Sequence, residues 1–176
     1  MIIIKDISPL PRITIILKDT VGAVLFSKSN LHKGYYNVAV KEESQDILTF
    51  KTTNRLYTPI VMPFRPTNCP TIMQKFINHV FQPLYNHYRP RFKNYMDDCR
   101  IFTHEGKLNL HYQIMHEFFV ILWKHSLFLK PSKCLFKVTE IDFLGLHLTQ
   151  MGITIVLDKL SAISDWPHTP KNLKEL

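Results

Sequence analysis

The chain has 176 residues, which is enough for one ordinary domain and too short for two of normal size. Because 45% of the residues are hydrophobic and 12% are aromatic, the chain can bury a core, and this excludes wholesale disorder. The formal net charge of +8 favours an acidic partner, usually nucleic acid, although a basic protein without such a partner is the alternative.

Several site and compartment classes are disfavoured by the sequence. The three cysteines are widely spaced, which predicts neither a disulfide framework nor a metal-ligand pattern and fits a reducing compartment. The histidines, His111 among them, lack metal-ligand spacing and are predicted to be surface or core residues. The N-terminal apolar run is too short for a signal peptide, and residues 118–123 are too few to cross a bilayer. We therefore expect an intracellular chain, cytoplasmic or nuclear, without a membrane partner.

The first part of the chain is predicted to mix short helices and strands. In order, we expect a helix over 13–20, a buried strand over 23–28, a half-buried strand around Val38 and Val40, and a hairpin formed by 47–52 and 56–62. A loop with three prolines follows at 62–70, with Thr67 or Asn68 as the helix N-cap.

Two long helices are predicted from apolar stripes at helical spacing. The first stripe is Met73, Phe76, Ile77, Val80, Phe81 and Leu84, and the second helix covers about 108–126. Strands are expected through Phe136, over 141–148 and over 153–156, then a helix over 157–165. The order indicates an α+β fold with an antiparallel sheet covered on one face by helices.

Residues 91–103 are predicted to form a β-hairpin with Asp97 and Asp98 at its tip. Side chains alternate along a strand, so adjacent aspartates share one site only where a turn breaks the alternation. Two carboxylates held together repel each other unless a divalent cation neutralises them, and magnesium prefers such oxygen ligands. The pair therefore suits two-metal phosphoryl or nucleotidyl transfer, with a plain polar turn as the alternative.

These segments together resemble the reverse transcriptase of gypsy-type LTR retrotransposons, in the order and approximate spacing of that family. The matching stretches are Phe26 to Tyr35 (family F-S-K-L-D-L-x-x-G-Y), Met62 to Gln74 (M-P-F-G-L-T-N-A-P-A-T-F-Q), Tyr95 to Thr103 (Y-L-D-D-I-L-I-F-S), Leu127 to Cys134 (L-x-L-x-x-x-K-C), Phe143 to Leu146 (F-L-G) and the linker from Trp166 to Leu176.

The resemblance implies an RNA-directed DNA polymerase. It implies a palm domain over 1–157, truncated at its N-terminus with the fingers largely missing, and a linker over 158–176 toward a missing RNase H region. It further implies template-directed nucleotidyl transfer with magnesium (or manganese). The expected partners are an RNA or DNA template-primer and nucleotides, and the expected origin is a larger polyprotein.

The resemblance also assigns roles to individual residues. Asp97 and Asp98 are the implied catalytic and metal-binding residues, and Asn30 stands at the position of the family's third carboxylate. The implied substrate-binding residues are Leu31, Tyr35, Arg65, Gln74, Met96 and Lys133, with Lys130 as an alternative to Lys133 near the phosphates. The implied primer grip is Phe143, Leu144 and Gly145.

The chain departs from the family pattern at residues that the chemistry needs. Asn30 lacks the charge of an aspartate, so a site built on three carboxylates keeps two. Arg65-Pro66 replaces a glycine-leucine pair, and Lys93, Asn94 and Arg100 replace apolar residues of the hairpin strands. Three hypotheses follow: an inactive retrotransposon-derived fragment, which we favour, a working polymerase, and a non-catalytic module that binds nucleic acid or another partner.

Overall fold

A computed structural model describes residue 6 and residues 10–155 of the chain. The predicted helix over 157–165 and the linker over 158–176 lie outside the described residues. No helix in the described part is long and apolar enough to cross a membrane.

The described chain alternates short helices with antiparallel strands. The α-helices are α1 (Ile13–Lys18), α2 (Glu42–Gln45), α3 (Cys69–Val80), α4 (Gln82–Tyr88) and α5 (Leu108–Lys124). The strands are β1 (Leu25–Asn30), β2 (Phe50–Lys51), β3 (Leu56–Tyr57), β4 (Phe92–Tyr95), β5 (Asp98–Thr103), β6 (Leu135–Val138), β7 (Ile141–Phe143), β8 (Leu146–Thr149) and β9 (Gly152–Ile155). Three short 3₁₀ turns lie at Gly34–Asn37, Asp46–Leu48 and Pro131–Lys133.

A four-stranded antiparallel sheet, in the order β4-β5-β1-β6, organises the structure. Asn30 on β1 lies opposite Asp98 on β5, and Asp98 lies opposite Tyr95 on β4. Cross-strand partners point to the same side of a sheet, so these three residues form one row. The row places Asn30 beside the predicted acid pair.

Helices α3, α4 and α5 cover one face of this sheet, because their apolar stripes are buried against it. Phe81 packs on both Phe92 of β4 and Phe118 of α5, at ring-centroid distances of 5.2 and 5.3 Å. The predicted first stripe is buried except for the half-buried Phe76, although the helix breaks at Phe81 between α3 and α4. The predicted helix-covered antiparallel sheet is confirmed.

The opposite face is partly covered by α1 and by a second sheet, β7-β8-β9. Phe26 and Phe102 of the central sheet pack there with Ile16 of α1 and Phe143 of β7, all of them buried. The second sheet therefore packs on the face of the central sheet that is opposite to the helices, against the strand β1 that ends at Asn30.

His111 of α5 joins the helix layer to two strands through buried polar contacts. Its Nε2 is hydrogen-bonded to Ser27 Oγ at 2.8 Å and its Nδ1 to Thr103 Oγ1 at 3.0 Å. The imidazole is fully buried, and this burial lowers its pKa to about 4. Of the two expected locations, core and surface, His111 occupies the core.

The three polar residues of the hairpin strands find partners in different ways. Lys93 pairs with Asp19 at 3.1 Å, and Asn94 accepts a hydrogen bond from the Tyr85 hydroxyl. Arg100 is fully buried and donates through Nη2 to the carbonyl of Ile16 at 2.8 Å. Its Nε and Nη1 have no hydrogen-bond partner within the described residues.

The guanidinium of Arg100 lies between two aromatic rings. It sits 5.0 Å from the ring centroid of Phe102 and 5.0 Å from that of Phe143. Burial lowers the pKa of Arg100 to about 10, with Asp19 opposing the shift.

Two predictions of secondary structure from the sequence were wrong. Val38 and Val40 do not form a strand: Val38 follows a 3₁₀ turn, and only a single bridge pairs Ala39 with Val61. Alternation of polarity arises there from packing against α3 and not from a ladder. The single strand expected over 141–148 is a hairpin, because positive φ values at Leu144 (51°) and Gly145 (79°) reverse the chain.

Candidate active site

The two-residue turn between β4 and β5 carries Asp97, and Asp98 is the first residue of β5. Tyr95 and Asp98 close the hairpin, leaving Met96 and Asp97 at its tip. Met96 has φ 49°, the sign that two-residue hairpin turns require at their first position and that glycine usually supplies. The turn brings the neighbouring aspartates to one place, as the sequence predicted.

Gln74 of α3 holds this turn from the helix side. Its Oε1 accepts the backbone N–H of Met96 at 2.8 Å, and its Nε2 donates to Asn78 at 2.8 Å. The residue is buried, with 4% exposure. This geometry gives Gln74 a positioning contact with the hairpin, while its predicted contact with substrate stays a prediction.

Asn30 lies between the two carboxylates. Its Nδ2 donates to Asp97 Oδ2 at 2.9 Å and to Asp98 Oδ1 at 2.8 Å. The backbone reinforces the contact, because the N–H of Leu31 donates to the carbonyl of Asp97 at 2.9 Å. Both N–H groups of the amide are therefore used on the acid pair.

As arranged, these residues do not fit a divalent cation. A cation placed between Asp97 Oδ2 and Asp98 Oδ1 would need the space that the amide nitrogen of Asn30 occupies. The third ligand of the predicted site is also neutral and presents its donor end. Among the described residues, no cluster of three or more His, Cys, Asp or Glu side chains is able to hold a metal ion.

A cavity of about 170 Å³ opens beside Asp97. Its lining consists of Gly34, Tyr35, Phe64, Met73, Met96 and Asp97. Typical ligand pockets measure about 300–1,000 Å³, so this cavity has room for part of a nucleotide and not for all of it. A larger apolar groove of about 580 Å³, between 38–48 and the start of α3, is separate from the acid pair in its lining.

Of the residues expected to bind substrate, Tyr35 and Met96 line this cavity, whereas Leu31 and Arg65 do not. The Tyr35 ring meets Phe64 edge-on at 5.0 Å, and its hydroxyl donates to Met96 Sδ at 3.6 Å. Leu31 is buried in the core, so only its backbone faces the acid pair. Arg65 is exposed on the loop before α3, with φ 90°.

The remaining predicted residues occupy the neighbouring turns. Lys133 is exposed at the end of a 3₁₀ turn, and the backbone N–H of Lys130 donates to the carbonyl of Asn30 at 2.9 Å. Phe143 is fully buried against Arg100, which leaves Leu144 and Gly145 as the accessible part of the predicted primer grip.

The sequence reasoning missed Gly34 as a site residue. A Cβ atom at this position would lie 3.3 Å from Asp97 Cβ and 3.3 Å from Met73 Cε, closer than ordinary van der Waals contact. The glycine therefore permits the close approach between the turn after β1 and the acid pair. Its place just before Tyr35, in a motif already recognised, is the signal that pointed to it.

Comparison with known proteins gives one family. A family model described as reverse transcriptase (RNA-dependent DNA polymerase) matches residues 2–148. The polyproteins of transposons Tf2-3 and Tf2-7 from Schizosaccharomyces pombe are 28% and 26% identical to this chain over 171 residues. The match covers 97% of this chain and only 12% of each polyprotein.

Solved structures give the same fold. A foamy viral protease-reverse transcriptase in complex with an RNA/DNA hybrid is 22% identical, with a TM-score of 0.82, over 95% of this chain and 22% of that one. A foamy viral protease-reverse transcriptase in complex with double-stranded DNA is 21% identical, with a TM-score of 0.85, over 98% of this chain and 29% of that one. The palm-like fold that the resemblance implied is confirmed.

Proposed function

The chain belongs to the reverse transcriptase family, and on that premise we propose that it is the palm-like part of a retrotransposon-type RNA-directed DNA polymerase that no longer transfers nucleotides. The polyprotein origin is supported by the Tf2 relatives, of whose length this chain spans about an eighth (12%). The domain limits expected from the sequence, 1–157 and 158–176, belong to the same proposal.

The observation that carries the proposed inactivity is the contact of Asn30 with both aspartates. Reverse transcriptases generally use divalent cations, and magnesium or manganese would be the ion here. In this chain, the residue at the third carboxylate position is neutral, and its amide nitrogen lies 2.9 and 2.8 Å from the two remaining carboxylates. The acid pair is thus bridged by hydrogen bonds from a neutral amide rather than arranged around an ion, and we derive no metal-dependent step.

Several residues that line the cavity or are exposed would contact substrate in such a domain. The Tyr35 and Phe64 rings would pack against the sugar of a nucleotide at the 170 Å³ cavity. Arg65 and Lys133 are exposed cations that would meet phosphates, and Leu144-Gly145 would contact the primer. In such a site the protein contributes positioning and charge rather than covalent chemistry.

Primer extension tests the proposal. The full chain and its Asn30→Asp variant are incubated with an RNA or DNA template-primer, nucleotides, and magnesium or manganese, with Asp98→Asn as the inactive control. We expect the native chain to extend no more primer than Asp98→Asn does. Extension by the native chain above that control would overturn the proposed inactivity.

Nucleic-acid binding without catalysis is the second candidate, favoured by the net charge of +8 and by exposed lysines at Lys130 and Lys133 beside the site. Phosphate contacts release counterions, so the affinity for a labelled template-primer should fall steeply with salt. Fluorescence anisotropy at two salt concentrations measures this. A salt-independent signal, or no binding at low salt, would exclude this second function.

A further inference from the structure

We infer that the Asn30 amide acts as an internal substitute for a cation and keeps divalent ions out of the acid pair. This inference deepens the proposed function, because it concerns the same site and says why an ion is excluded. The distances that support it are those from Asn30 Nδ2 to Asp97 Oδ2 (2.9 Å) and to Asp98 Oδ1 (2.8 Å).

The orientation of the amide follows from chemistry. When they are ionised, the carboxylates of Asp97 and Asp98 can accept hydrogen bonds but cannot donate them. The amide NH₂ group carries two hydrogens, one for each carboxylate. The reverse orientation would bring the amide oxygen against two anionic oxygens and leave both repulsions uncompensated. The donor orientation is therefore strongly preferred, and it uses the full donor capacity of Asn30.

The backbone around Asn30 leaves the side chain little freedom to withdraw. Asn30 ends the central strand β1 and is 5% exposed. Its carbonyl accepts the N–H of Lys130 at 2.9 Å, and the next N–H, of Leu31, donates to Asp97 at 2.9 Å. The strand is thus held by backbone hydrogen bonds on both sides of the position where the amide meets the acids.

An ion shared by the two carboxylates would compete with this amide for the same space. Magnesium binds oxygen ligands at about 2.0–2.1 Å, and a shared ion lies between the oxygens that it joins. The Asn30 nitrogen already bridges one oxygen of each carboxylate. Entry of an ion between these two oxygens therefore requires that both charge-assisted hydrogen bonds break.

A substitution that removes the amide separates this inference from simple loss of a ligand. If Asn30 were only a poor ligand, Asn30→Ala would bind a divalent ion no better than the native chain. If the amide excludes the ion, Asn30→Ala binds it more tightly although it offers one oxygen fewer. The expected order of affinity is Asn30→Asp first, then Asn30→Ala, then the native chain.

Manganese binding to the full chain, measured by electron paramagnetic resonance of free Mn²⁺, tests the order. We expect Asn30→Ala to bind Mn²⁺ at least tenfold more tightly than the native chain does, and Asn30→Ala combined with Asp97→Asn to lose that gain. Affinity of Asn30→Ala equal to or below that of the native chain overturns the inference. Neither result depends on primer extension. Failure of the inference leaves the loss of the third carboxylate as a ground for inactivity, whereas extension by the native chain would require an ion at the acid pair and would overturn both proposals.

A second measurement applies if Asn30→Ala is not folded, which the absence of a cooperative unfolding transition would reveal. In the native chain, the side-chain NH₂ signals of Asn30, assigned by their loss in Asn30→Asp, should remain sharp when Mn²⁺ is added. Selective broadening of these signals at low Mn²⁺ concentration would place the ion at the acid pair and overturn the inference.

Discussion

Lowering the pH from 8 to 5 should destabilise this fold through one buried imidazole, that of His111. The side chain is hydrogen-bonded to Ser27 and Thr103, and no part of the residue is exposed. Burial lowers its pKa from 6.5 to about 4, because the charged form is poorly solvated in the core. The folded state therefore binds this proton less readily than the unfolded state does.

The sign and the size of the effect follow from these two pKa values. The contribution of His111 to stability is fully present above the unfolded pKa of 6.5 and is lost as the pH falls toward 4. The whole difference corresponds to about 3 kcal/mol, of which about 2 kcal/mol is lost by pH 5. This is a large share of the stability of a small domain.

Urea unfolding followed by circular dichroism at pH 8 and pH 5 measures the loss. Other groups also titrate in this range, for example His147, whose pKa is raised chiefly by its hydrogen bond to Asp142. His111→Gln is the matched control, since its amide keeps hydrogen-bonding capacity and cannot take up a proton. We expect the free energy of unfolding to fall by about 2 kcal/mol more in the native chain than in His111→Gln. Equal losses in the two proteins would refute the reasoning.

Three further predictions concern positions where a buried charge, a strained backbone or a close contact limits which residue fits. Arg100→Met should raise the free energy of unfolding by about 1 kcal/mol, because removal of the buried charge outweighs loss of the hydrogen bond to Ile16. Arg100→Ala should lower the free energy of unfolding by about 2 kcal/mol, because it leaves a cavity. Equal effects of the two substitutions in urea unfolding would contradict this reasoning. Arg65→Gly should stabilise by about 1 kcal/mol by removing strain at φ 90°, and Arg65→Ala, which keeps the strain, should not, as thermal melts would show. Gly34→Ala should destabilise by about 1 kcal/mol through its contact with Asp97, and an unchanged melting temperature would argue against that contact.

Local patterns were enough to predict the elements that carry the site. Two apolar stripes predicted the helices behind the sheet, although the stripe from Met73 was expected to be one helix and is divided into α3 and α4. The adjacent Asp97 and Asp98 between β-forming runs predicted the hairpin. Both signals lie within about one element of the chain, where periodicity and turn chemistry act directly. The same reasoning failed at Val38 and Val40, because alternation over so few residues does not require a paired strand.

Contacts between distant segments were beyond sequence reasoning. Asn30 was recognised as a departure from the family, but its bonds to Asp97 and Asp98 depend on the register of β1 against β5, more than 60 residues away. Likewise Arg100 was recognised as replacing an apolar residue of the hairpin, and only the fold reveals that α1 supplies the carbonyl of Ile16 as its partner.

The hydrogen bond from the Leu31 N–H to the carbonyl of Asp97 also bears on the chemical ageing of the protein. Spontaneous deamidation of asparagine would turn Asn30 into an aspartate, and it begins when the following backbone nitrogen attacks the side-chain carbon. Here that nitrogen belongs to Leu31, whose N–H is held at 2.9 Å from Asp97 in a buried segment. The native fold therefore protects Asn30 from conversion, and mass spectrometry of the aged folded protein should find this asparagine intact while exposed asparagines, such as Asn54, are converted.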